Sequence, residues 1–183
     1  MLAYQAGDED AFDELVHRFA GQVFALLTRF LGPVPEREDM VQEVFLRVVR
    51  ARERYEPAAR FSTWLYRIVY NLSVNHTQRS GPRAVAAGEG EDGEEYEFAD
   101  EAALDPSDSL ERGDVVQAVR GAIFQLPESQ RMALVLAKYE ELPYVEIGRV
   151  LGTSEKAVKS LVHRARENLR SMLGPFLEQE FAS

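Results

Sequence analysis

The chain has 183 residues, 45% hydrophobic and 28% charged, which is a soluble-protein composition sufficient for one medium domain or two small ones. It holds no cysteine, excluding a disulfide framework, a thiolate zinc site and a cysteine nucleophile; its three histidines, His17, His76 and His163, are too scattered for a metal site. The net charge is −10, no apolar run approaches the ~20 residues of a membrane span, and the acidic start MLAYQAGDED lacks a signal-peptide pattern, so a cytoplasmic protein without membrane insertion is expected.

In chain order, Phe12, Leu15, Val16, Phe19, Val23, Leu26, Leu27 and Phe30 recur at spacings of three and four, one face of a helix. Asp8 or Asp10 caps its start and Gly32-Pro33 stops it. A second helix begins near Pro35-Glu36, carries the stripe Met40, Val41, Val44, Phe45, Val48 and Val49, and ends before Pro57. A third runs from Ser62, a good N-cap, to about Gln78 and buries Leu65, Ile68, Val69 and Leu72.

Charge then separates the chain. Residues 1–83 are net 0, residues 84–114 net −11 and residues 115–183 net +1. The acidic, Gly-rich stretch is too poor in large apolar residues to offset its ordering entropy and reads as a flexible linker. Four helical segments follow, approximately 111–125, 128–140, 143–151 and 155–172, broken at Leu126-Pro127, Leu142-Pro143 and Gly152-Thr153-Ser154. With no strand-like alternation anywhere, the fold class is all-α: domains over 1–83 and 111–183, joined by an acidic linker over 84–110.

The last two segments, joined by a three-residue turn containing glycine, have the helix-turn-helix layout, whose second helix enters the DNA major groove. At 100° per residue, Val158, Leu161, Val162, Ala165, Leu169 and Met172 fall in one apolar sector. Lys156, Ser160, His163 and Glu167 lie opposite, with Lys159, Arg166 and Arg170 on one shoulder and Arg164 on the other. Five Lys/Arg against two Glu over 154–170 make the free face a basic stripe. Ser154 is the expected N-cap, leaving the positive dipole end of the helix free to approach phosphate. Residues 60–83 hold four arginines, a histidine and no acid, interleaved with aromatics and amides; such groups stack on unpaired bases and neutralise phosphate.

The stretches REDMVQEVFLRVVR and RFSTWLYRIVYNLSVNHTQR resemble region two of bacterial RNA polymerase sigma factors. LPESQRMALVLAKYEELPYVEIGRVLGTSEKAVKSLVHRARENLR is similar to their region four. Two such regions with only a linker between is the layout of the extracytoplasmic-function (ECF) group. The resemblance implies a region-two helical bundle, a region-four helix-turn-helix domain, and partners in core RNA polymerase (the largest-subunit coiled coil and the flap region), promoter DNA and an anti-sigma factor. It implies neither cofactor nor enzymatic activity.

Carried over residue by residue, the polymerase-binding positions are Asp39, Gln42 and Glu43, with Phe45 and Leu46 alongside. The −10 element falls to Arg60, Phe61, Ser62, Thr63, Trp64, Arg67, Asn71, Asn75 and Arg79. For the −35 element the helix-turn-helix offers Ser154, Lys156, Ala157, Lys159, Ser160, His163, Arg164, Arg166 and Arg170. Of Phe61 and Trp64, at least one is expected in the core, and Tyr66 or Tyr70 on the surface. Leu161, where many relatives carry arginine, is expected to pack, and Gly148, in place of the usual alanine, to cost about 1 kcal/mol of helix propensity. Two other classes remain beside this reading. A sigma-like decoy that titrates an anti-sigma factor is opposed by the basic stripe over 156–170. An enzyme is opposed by the confinement of grouped titratable residues to the linker.

Overall fold

The computed structural model describes residues 1–80 and 109–180, with side chains over 1–79 and 115–175; the acidic linker expected over 84–110 lies almost entirely outside the described residues. Among the described residues the fold is all-helical: α1 (Leu2–Gln5), α2 (Asp10–Leu31), α3 (Arg37–Arg50), a 3-10 turn (Arg52–Arg54) and α4 (Phe61–Ser80), then α5 (Ser109–Gln125), α6 (Glu128–Lys138), α7 (Tyr144–Leu151) and α8 (Glu155–Glu180).

The first module is α2, α3 and α4 packed on one another, with Val23, Leu26, Leu27, Phe30, Val44, Val48, Leu65 and Val69 buried between them. Asp8 starts α2 as expected, its carboxylate accepting the Ala11 N–H at 3.2 Å. Three expectations are corrected here. Ser62 does not cap α4: the Trp64 N–H bonds to the Arg60 carbonyl, so the helix begins one residue earlier and Ser62 lies in its first turn. Val49 is 38% exposed, because α3 packs mainly on α2 and α4 and the stripe's far edge faces out. Tyr66 is 3% exposed rather than a surface residue, for a reason that lies in the second module.

In that second module α8 rests on α5, α6 and α7. Val158, Val162 and Ala165 are buried and Leu161 is packed against the core, as its angular position requires. The turn before α8 is built by two glycines. Gly152 closes α7 in the left-handed region at φ 68°, which a Cβ disfavours. At Gly148 a Cβ would stand 2.7 Å from the Thr153 carbonyl oxygen, while the Thr153 N–H bonds the Gly148 carbonyl at 2.9 Å. The propensity cost of Gly148 is therefore exchanged for a close approach of turn to helix. Helix α8 also outruns its expected end at 172, continuing through Pro175, where the missing N–H removes one bond from the ladder.

The modules are not separate bodies. α4 packs on α7 and α2 on α6, and buried residues of both modules form one continuous apolar cluster. Arg131, a residue only 6% exposed, ties them: its guanidinium donates to the carbonyls of Phe30 at 2.7 Å, Phe124 at 2.6 Å and Leu126 at 3.1 Å. Burial pulls its pKa down from the usual arginine value.

Candidate nucleic-acid interface

On α8 the amphipathic pattern of the sequence becomes geometry. Ser154 accepts the Ala157 N–H at 3.2 Å and so caps the helix. Lys156, Lys159, Ser160, His163, Arg164, Arg166 and Arg170 are all exposed, and Ala157 is half-buried. Arg170 is paired with Glu167 at 2.6 Å, both exposed, an ion pair worth little and readily exchanged for phosphate. The N-terminal turns of α8 are thus a free basic surface at the positive end of a helix dipole.

On α4 the expected residues divide by face. Arg67, Asn71, Asn75 and Arg79, spaced by four, are exposed and form one stripe of two cations and two amides. Arg60 is exposed just before the helix. Phe61 and Trp64 are both half-buried and both packed: Phe61 against Phe19 at 5.2 Å, Trp64 edge-on to Tyr55 at 5.0 Å. Ser62 is half-buried. Thr63 is only 2% exposed and faces away from solvent, its hydroxyl donating to the Glu146 carboxylate of α7 at 2.8 Å.

That bond is one of three made, among the described residues, by hydroxyls of α4 to carboxylates of the second module. Tyr66 donates to Glu140 at 2.6 Å, and Thr77 to Glu128. Burial first, and then the Glu140 charge, push the Tyr66 hydroxyl well above the ordinary tyrosine range. Glu140 also faces Arg29 at 3.5 Å, and Glu146 pairs with Arg149. Sequence reasoning missed this seam. Its partners are 51 to 83 residues apart, beyond any local periodicity. The one available signal was Arg131, a cation facing the apolar run MALVL.

On α3, Asp39, Gln42, Leu46 and Val49 are exposed at spacings of three, four and three, the seam spacing of a coiled coil. Glu43 lies beside them, bonded to Arg47 at 2.9 Å, which holds its carboxyl below the usual range. Phe45 does not join this surface. It is 6% exposed and turned inward, edge-on to Phe12 at 6.4 Å.

Both modules match known families. Residues 15–82 match the family model Sigma-70 region 2, and residues 117–169 match Sigma-70, region 4. The chain is 34% identical over 178 residues to the RNA polymerase sigma-H factor of Pseudomonas aeruginosa, covering 96% of this chain and 92% of that protein. It is 32% identical over 170 residues to the ECF RNA polymerase sigma factor SigW of Bacillus subtilis, covering 91% of each. Among solved structures, CnrH in complex with the cytosolic domain of CnrY superposes with a TM-score of 0.65 at 25% identity, covering 93% of this chain and 92% of that one. The sigma factor RpoE of Bartonella quintana, in complex with the anti-sigma factor NepR, shares the fold with a TM-score of 0.66 at 22% identity, covering 90% and 97%. With both sigma-70 regions present in order and relatives at 32–34% identity along nine-tenths of its length, the chain belongs to the extracytoplasmic-function sigma factors of RNA polymerase.

Proposed function

We propose that the exposed faces of α3, α4 and α8 divide the work of promoter recognition. The mixed seam Asp39, Gln42, Leu46 and Val49, with Glu43, docks on a helical surface of core polymerase. The stripe Arg67, Asn71, Asn75 and Arg79, with Arg60 and the rims of Phe61 and Trp64, takes the unpaired −10 strand. The first turns of α8 read −35 base edges while Arg166 and Arg170 hold backbone phosphate. The observation that carries this reading is that the arginine and lysine side chains of both DNA-facing stripes are exposed among the described residues. Bond-breaking and bond-making chemistry stays with the polymerase, and the chain works inside the cell, where the polymerase is. An anti-sigma factor is a further partner, in keeping with the complex of the similarly folded RpoE with NepR.

The packing of α4 on α7 sets a condition on this function. Elements at −35 and −10 are separated by about 25 base pairs, roughly 85 Å of duplex. Packed helices lie only about 8–10 Å apart, and α8 in turn packs on α7, so the two readers here are a few helix diameters apart. Reading both elements on one promoter therefore requires α7 to leave α4. The chain between residues 80 and 109 is long enough for this, at roughly 90 Å fully extended.

The test is co-elution of the chain with sigma-free core polymerase, followed by transcription from a genomic fragment library. Discrete transcripts are expected. Arg67→Ala with Arg79→Ala should reduce promoter opening, and Lys159→Ala with Arg166→Ala should reduce binding of closed duplex. Absence of co-elution would overturn the reading and leave a decoy for an anti-sigma factor as the alternative.

A further inference from the structure

Helix α1 lies ahead of the residues matched to region two, and it is built into the loop that precedes α4. The Gln5 side-chain amide donates to two consecutive-but-one backbone carbonyls, Glu53 at 3.3 Å and Tyr55 at 3.1 Å. Those carbonyls belong to the middle residue of the 3-10 turn and the first residue of the loop over 55–60. Next to Gln5, Tyr4 is buried and stacks under the Arg52 guanidinium at 4.2 Å, and Arg52 also pairs with Glu9 at 2.6 Å. The Tyr55 ring is in turn buried edge-on to Trp64 at 5.0 Å. One helical turn at the N-terminus thus fixes the backbone from which the loop departs, while the loop's tip, Glu56 to Ala58, stays exposed.

We propose that Gln5 is a positioning residue for base selection: it holds the loop over 55–60 at the height and angle at which it captures an unpaired base against Phe61 and Trp64. This rests on the role proposed above for α4 and extends it to the exposed loop that leads into Arg60 and Phe61. A loop that discriminates bases must be held within a fraction of an ångström, because hydrogen bonds to base edges weaken steeply with distance and angle. The amide of Gln5 thus ties two carbonyls on either side of the point where the 3-10 turn gives way to the loop. Only a donor fits the position. Gln5→Glu has the same shape but sets a carboxylate oxygen, in place of the donating Nε2, against both carbonyl oxygens. Gln5→Lys restores donors.

The test uses the chain bound to core polymerase and a randomised single-stranded DNA pool, with a randomised duplex pool as the internal comparison. The wild-type complex is expected to enrich one base at one or more positions of the single-stranded pool. Gln5→Glu should lower that enrichment about fivefold, the loss of one shared amide–carbonyl interaction, and Gln5→Lys should recover most of it. Duplex selection by α8 and co-elution with polymerase should not change. Equal single-strand enrichment by Gln5→Glu and wild type overturns the proposal. So does a parallel loss in both pools or in co-elution, which would make Gln5 a general stability contact. If the wild-type complex enriches nothing from the single-stranded pool, the assignment of α4 fails, and the role of Gln5 with it.

Discussion

Helices α4 and α8 carry the two candidate DNA-reading faces, and they are packed in opposite ways. α8 lays one apolar stripe on α5, α6 and α7 and leaves its basic side open. α4 is held between α2 and α3 on one side and α7 on the other, and its free surface narrows to the stripe from Arg67 to Arg79. On the division of work proposed above, α8 meets duplex DNA as it stands, whereas α4 takes its strand on the same promoter only after the second module has moved. The hydroxyl–carboxylate bonds of the seam suit that demand, since these groups regain water on separation, while the apolar residues shared by the two modules and the Arg131–Phe30 bond oppose it.

Arg131 is where this contrast is broken most severely. Arg131→Ala leaves the carbonyls of Phe30, Phe124 and Leu126 without their donor and should cost about 3 kcal/mol in urea unfolding. If the two modules unfolded independently, the loss would instead appear in only one of two transitions.

A smaller effect is expected at Tyr66. Tyr66→Phe removes the bond to Glu140 and should cost about 1–2 kcal/mol near neutral pH. The pH dependence has a definite sign. Because the folded-state pKa of Tyr66 is raised, its contribution is fully present below the unfolded tyrosine value of about 10. Above it the unfolded chain binds fewer protons than the folded one, so stability falls as pH rises. The variant should show a shallower alkaline decline than wild type in thermal unfolding between about pH 9 and 11.

The smallest change in stability is expected on α8, and it sharpens the other half of the comparison. Lys159→Ala alters an exposed side chain and should leave stability within about 0.5 kcal/mol. Its effect should appear instead in the salt dependence of duplex binding, where the log–log slope falls by about 0.9 if Lys159 neutralises one phosphate. An unchanged slope would remove Lys159 from the phosphate-contacting set.

Legibility in the sequence followed the same division. α8, the glycine turn before it and the Ser154 cap could be read directly, because each depends on residues within a few positions and on a single packed face. The apolar face of α2 was legible for the same reason. On α4, with neighbours on several sides, the 3.6-residue pattern is blurred, and Tyr66 and Thr63 looked available although both are buried. On α3 the stripe was right for Val44 and Val48 but ran too far, to Val49, and the docking set wrongly included Phe45.

The sequence by itself determined the helices, the charge separation, the family and the basic face of α8, since periodicity, capping chemistry and like-charge repulsion act locally along the chain. Only the tertiary structure decided that α7 covers α4, that Arg131 is buried at the junction and that Gln5 holds the loop before α4. These join residues far apart in the chain, and their partners are chosen by which surfaces meet when the apolar faces are buried, an outcome that no local pattern encodes.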